Sequence, residues 1–203
     1  MTEIVKDKTA LLIMDVQNDI VHEEGKYKGF GSPAHAKERN ILQNIKKVLD
    51  KAREVGMKVV YVKFGMRNFE AEVKGNHTPI LSAVSELKAC DLNGWGGEVH
   101  EFIKPMEGEV VVEKNRINAF HRTNLKQILD EADIDTLILT GVATNYVIEA
   151  TARHASDDDY KLFILDDCCS SMNQELHDFS MQNILPNLGK ISTSDEIIVM
   201  FKN

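Results

Sequence analysis

The stretch LILTGVATNYVIEATARHA, residues 137–155, changes its periodicity at its centre. The run Thr136 to Thr140 is apolar and β-branched, as a strand buried on both faces is. Gly141 supplies a tight turn, and from Thr144 and Asn145 onward the apolar positions recur every three or four residues, predicting a helix over Tyr146–Ser156. An α/β enzyme commonly carries its nucleophile on such a strand–turn–helix junction. The first helical turn here offers Tyr146, Val147 and Ile148.

The same alternation extends outward in both directions. Continuous apolar runs at 10–15, 58–64, 109–114, 135–141, 161–167 and 196–201 predict strands. Amphipathic segments at Asn40–Val55, Asn124–Ala132, Tyr146–Ser156 and Glu175–Leu185 predict helices, with Gly56 at the C-terminal cap of the first. Repeated strand–helix–strand units give an α/β three-layer sandwich with a mainly parallel six-stranded sheet. With 203 residues, no linker and no repeats, residues 1–203 form a single domain. Residues 65–106, containing a Gly-Trp-Gly-Gly stretch and a short helix predicted at Pro79–Ala89, are long for a connection and are read as a lid, a subunit contact or a packed surface excursion.

Composition narrows the function. Hydrophobic residues make up 43 % and charged residues 28 %, and the net charge is −8. A chain this acidic lacks the clustered cations that phosphate backbones or anionic membranes require, so neither nucleic acid nor membrane is an expected partner. The apolar run Ala10–Met14 is too short for a signal peptide or a span. Cys90, Cys168 and Cys169 are odd in number with two adjacent, which is no disulfide framework, and a reducing cytoplasm is expected. A homo-oligomer, dimer or tetramer, acting on a small molecule is the expected state.

Ligands of open α/β sheets bind beyond the carboxyl ends of the strands. The first run ends in Asp15, followed by Gln17, and the third in Lys114, followed by Arg116. The fourth ends in the turn carrying Asn145 and Tyr146. A carboxylate, an ammonium and a helix N-terminus therefore converge on one edge, with Gln17, Arg116, Asn145 and Tyr146 as candidate substrate contacts. Trp95 and Phe120 are candidate walls. The histidines show no metal-ligand spacing, so neither a metal nor another cofactor is expected; His154 belongs to an exposed or packing helix face, His121 lies nearer the site, and the acidic run 156–160 is a solvated turn.

LLIMDVQNDI (11–20), VVVEKNRINAFHRTNL (110–125) and residues 137–171 together resemble the isochorismatase-like (cysteine hydrolase) superfamily, over roughly residues 8–200. The resemblance implies a hydrolase with a parallel six-stranded sheet and a site made of Asp15, Lys114 and the turn Val142, Ala143 to Val147, with Val142–Ala143 in the cis form. In the amidase branch a cysteine nucleophile stands where this chain has Val147, which cannot form an acyl-enzyme. Isochorismatases work without that cysteine, their aspartate protonating a vinyl ether. The resemblance thus implies a cofactor-free hydrolase of a small carboxylate or amide-like metabolite with Asp15 as acid or base, or else a silent paralogue that binds ligand or oligomerises. The nicotinamidase branch carries a metal cluster where this chain reads FGMRNF (64–69). Burial raises and Lys114 lowers the pKa of Asp15. Cys168 and Cys169, on the next strand, are read as small buried thiols.

Overall fold

The computed structural model describes residues 4–76 and 78–201. Six strands, β1 (Thr9–Met14), β2 (Lys58–Phe64), β3 (Val110–Lys114), β4 (Thr136–Val142), β5 (Lys161–Ser170) and β6 (Lys190–Ser192), form one sheet in the order β3-β2-β1-β4-β5-β6. Every pairing is parallel. The order reverses between β1 and β4, which opens a crevice at their carboxyl ends. The α/β three-layer architecture is as the sequence implies.

The helices are α1 (Asn18–Val21), α2 (Ser32–Glu38), α3 (Ile41–Val55), α4 (Phe69–Val73), α5 (Pro79–Leu87), α6 (Leu125–Glu131), α7 (Glu149–Asp157), α8 (Gln174–Phe179) and α9 (Ser194–Ile198). Strand residues alternate between two cores because successive side chains leave a strand on opposite faces. Leu11, Ile13, Tyr61 and Ile138 pack against Ile45, Leu49 and Ala52 of α3. Ala10, Leu12, Val60 and Leu139 pack with Leu125 and Leu129 of α6 and Ala152 and Ala155 of α7. The absence of charged positions in β1 and β4 follows, since both are buried throughout.

Two expectations are corrected. The apolar run 196–201 is no strand: Thr193 and Glu196 form a capping box, Thr193 Oγ1 accepting from Glu196 N and the Glu196 carboxylate accepting from Thr193 N, and α9 begins there. The sixth strand is instead the short edge segment β6. The predicted helix Glu175–Leu185 stops at Phe179 and continues as a wide turn over Ser180–Ile184 and a short 3-10 turn at Leu185–Asn187. Cys168 and Cys169 lie inside β5, fully buried toward opposite cores.

The described residues of 65–106 include several that are buried in the core. Leu81, Val84, Val99 and Ile103 are buried, the Asp19 carboxylate accepts from Cys90 N at 2.7 Å, and Gln17 bridges to Val99. This segment contributes α5, and with it Ile80, to the site.

Candidate functional site

Chain geometry brings three strand ends together. Asp15 follows β1 in left-handed backbone (φ 58), and its N–H donates to Val62 O at 2.8 Å. This conformation, which Asp adopts more readily than most residues, turns the chain out of the sheet. Lys114 is the last residue of β3. β4 runs through Gly141, whose φ is 131 and where a Cβ would stand 1.9 Å from Met14 O, so only glycine lets β4 pass so close to β1. The Val142–Ala143 peptide that follows is cis. A wide helical turn, Thr144–Ile148, then leads into α7.

Asp15 and Lys114 meet in a buried ion pair. Lys114 Nζ donates to Asp15 Oδ2 at 2.7 Å and to Arg116 O at 3.1 Å, and lies 4.8 Å from the centroid of the Phe64 ring. Burial pushes the Asp15 carboxyl up to about 6, against the opposing pull of Lys114. Burial likewise lowers the pKa of Lys114 despite its partner. Desolvation therefore outweighs attraction for both groups. Asp15 Oδ1 is buried and, among the described residues, has no hydrogen-bond partner. An orphaned carboxylate oxygen is costly to keep, which marks it as available to a ligand.

A cavity of about 430 Å³, counting its open mouth, adjoins the pair. Val142, Ala143, Tyr146 and Val147 line it from the turn, Ile20, Tyr27 and Ser32 from the first loop and helices, Ile80 and Ile117 from the far wall, and Met172 from the segment after β5. Val147 is 1 % exposed. The Ser32 hydroxyl donates to Ile20 O at 2.9 Å, and among the described residues no cysteine lines the cavity. Burial raises the pKa of Cys168 well above the ordinary thiol range, and does the same to Cys169. Among the described residues no group of three or more His, Cys, Asp or Glu is arranged to hold a metal.

The turn is braced from behind. Thr144 Oγ1 donates to Ser170 O at 3.0 Å and lies 2.8 Å from His177 Nδ1, and His177 Nε2 lies 3.1 Å from Asp166 Oδ1. Asp166 is ion-paired with Arg39, and the hydrogen bond from His177 followed by the Arg39 charge hold its carboxyl below the usual range.

Several sequence-predicted contacts lie elsewhere. Gln17 is fully buried and bonded to both the N–H and the carbonyl of Phe64, each at 2.7 Å, so it splices the end of β2 to the first loop. Asn145 accepts from the Ser171 hydroxyl. Phe120 stacks on His154 at 4.5 Å in the opposite core. Trp95 is half exposed and packs edge-on against His22. The Arg116 guanidinium is held by the carbonyls of Asn115 and Glu72 and turns away from the cavity. Tyr27, Ser32, Ile80, Ile117 and Met172, absent from the sequence-based set, form much of the wall. They come from segments far apart in the chain, and only Ile117, close to Lys114, carried a local signal.

The Isochorismatase domain model matches residues 9–196. Ureidoacrylate amidohydrolase RutB of Acinetobacter baylyi is 28 % identical over 213 residues, covering 99 % of this chain and 86 % of that protein. A cysteine hydrolase from Pseudomonas syringae pv. phaseolicola superposes with a TM-score of 0.86 at 25 % identity, covering 98 % of this chain and 95 % of the other. N-carbamoylsarcosine amidase from Thermoplasma acidophilum gives a TM-score of 0.72 at 26 % identity, covering 94 % and 98 %. The six-stranded parallel sheet and a domain match over residues 9–196 agree: this chain belongs to the isochorismatase family.

Proposed function

We propose that this chain hydrolyses a small amide-like or carboxylate metabolite without a covalent cysteine intermediate, Asp15 acting as acid or base with Lys114 beside it. The observation that carries this reading is the unpartnered Asp15 Oδ1, in a cavity that raises the carboxyl to about 6. A pKa close to the working pH suits proton transfer in either direction. For an amide, Asp15 takes a proton from water as the water oxygen bonds to the carbonyl carbon. It then returns that proton to the departing nitrogen as the C–N bond breaks. In this reading N–H groups of the Ala143–Val147 turn receive the charge on the carbonyl oxygen.

In this reading Val147 stands at the position from which a family cysteine would attack. Family resemblance supports that assignment, as does the location of Val147 on the cavity wall beside the cis turn. Loss of a nucleophile ordinarily leaves only about 10³–10⁴-fold of acceleration, from binding and oxyanion stabilisation. A silent, ligand-binding paralogue is therefore the second reading, favoured by the same valine.

The test assays wild type, Asp15→Asn and Val147→Cys on small primary amides, ureido acids and a vinyl ether. Wild-type turnover lost in Asp15→Asn supports the non-covalent enzyme. An inert wild type, with Val147→Cys alkylated no faster than an ordinary exposed thiol, refutes it and selects the silent paralogue.

A further inference from the structure

The charges inside the cavity are already committed. Lys114 is bound to Asp15 Oδ2 and Arg116 O, and the rest of the wall is largely apolar. The cavity suits an uncharged reacting head and, among the described residues, offers no free cation to a charged one.

Outside it the situation reverses. A concavity beyond the far wall is lined by Lys74, Arg116, His121 and Arg122, with Gly75 and Asn76. The Arg116 guanidinium is fixed at 2.7 Å from Asn115 O and 3.1 Å from Glu72 O. Main-chain carbonyls orient a guanidinium without neutralising it. Among the described residues Lys74, Arg116 and Arg122 have no carboxylate within 4.0 Å. The nearby acids are largely engaged elsewhere: the Glu72 carboxylate, though it also feels the Arg116 charge, accepts from Asn115 Nδ2, Arg67 N and Asn68 N, and Glu113 pairs with Arg67. In a chain of net charge −8, such a cluster is a local exception.

The two hollows share walls with a common neighbour. A third hollow between them is lined by Ile80 and Ile117, which belong to the cavity wall, and by Asn76, Arg116 and His121, which belong to the cationic concavity. A ligand with its head at Asp15 and its body over Ile80 and Ile117 would reach the cations with its tail.

We propose that Lys74, Arg116, His121 and Arg122 form an oxyanion subsite that receives the carboxylate tail of a substrate whose uncharged head enters the Asp15 cavity. This rests on the reading of that cavity as a substrate site. The cluster also offsets the repulsion that an anion meets on approaching an acidic protein.

A matched pair of probes tests it: succinamate, and butanamide, which has the same amide head and no charge. Calorimetric titration of the full chain at low salt should show succinamate binding about tenfold more tightly, the sum of a few screened ionic contacts. That preference should fall to within about twofold in 0.5 M NaCl. It should fall likewise in Lys74→Gln/Arg122→Gln, a pair of exposed positions that keeps the test independent of the loop bonds of Arg116, and in Arg116→Gln. Equal binding of the two probes to wild type, or a preference that survives both variants, overturns the subsite while leaving the cavity reading intact. Inorganic phosphate that binds in a manner sensitive to these variants, without weakening succinamate, makes the cluster an independent anion site and also overturns the proposal. If Asp15→Asn leaves the binding of both probes unchanged, the cavity reading itself fails.

Discussion

Asp15 and Lys114 make opposite predictions when removed singly and together. Asp15→Asn preserves shape but leaves the Lys114 ammonium, whose side chain is 0 % exposed, with only Arg116 O at 3.1 Å and the Phe64 ring for company. Breaking a buried pair in this way costs about 3–5 kcal/mol. Lys114→Met should cost less, because the Asp15 carboxyl, already raised to about 6, rises further and protonates. The double variant should be more stable than Asp15→Asn alone, since no buried charge remains. Urea unfolding at pH 7 measures the cycle, and effects that add to within about 0.5 kcal/mol would refute the coupling. A pH series supplies an independent sign. The folded pKa of Asp15 lies above its ordinary value of 3.8, so its contribution is fully present below about pH 4 and is lost as pH rises through about 6. Roughly two pH units at about 1.4 kcal/mol each give a loss of about 3 kcal/mol. Asp15→Asn should lack this slope, and a difference between wild type and Asp15→Asn that stays constant from pH 4 to 7 would show that burial does not dominate.

Gly141→Ala should prevent stable folding or cost more than about 3 kcal/mol in thermal unfolding, because the new Cβ would stand 1.9 Å from Met14 O, a backbone atom of the neighbouring strand. A variant melting within about 2 °C of wild type would mean that β1 and β4 do not approach so closely. Cys168 and Cys169 are buried with raised pKa values and should react with a disulfide reagent only as fast as the protein unfolds. Rapid stoichiometric labelling of either in the native protein would reopen the case for a relocated nucleophile.

The sequence exposed those features whose causes are local. β1 and β4 are buried throughout, so neither carries a charged residue; β6 is a three-residue edge strand beginning with an exposed lysine, and carries no continuous apolar run. The segment 196–201 is apolar enough for a strand, yet Thr193 and Glu196 cap a helix, and Ile197 is buried from that helix instead. Here a capping box outweighed β-branched propensity. Asp15 and Lys114 were legible because strand ends can be counted along the chain. Arg116 shows the opposite case. Its sequence position beside Lys114 points toward the same cavity, but its guanidinium is held by a carbonyl from α4, more than forty residues earlier. Tyr27, Ile80 and Met172 reach the wall only through long-range packing.

Position 147 links the two halves of the site. On the reading proposed above, valine there removes the group that would carry an acyl intermediate. Val147 is an apolar side chain, 1 % exposed, in a wall shared with Ile20, Ile117 and Val142. The pKa of Asp15 is raised chiefly by burial, with Lys114 opposing. Every polar or polarisable group taken from the wall strengthens the first effect and leaves the second untouched. A cysteine thiolate at 147 would be a further charge in this cavity, whereas valine leaves the proton on Asp15 governed by burial and Lys114 alone. On that reading, the loss of covalent catalysis and the dry setting of Asp15 meet at one apolar residue, with Asp15 and Lys114 the groups left to move a proton.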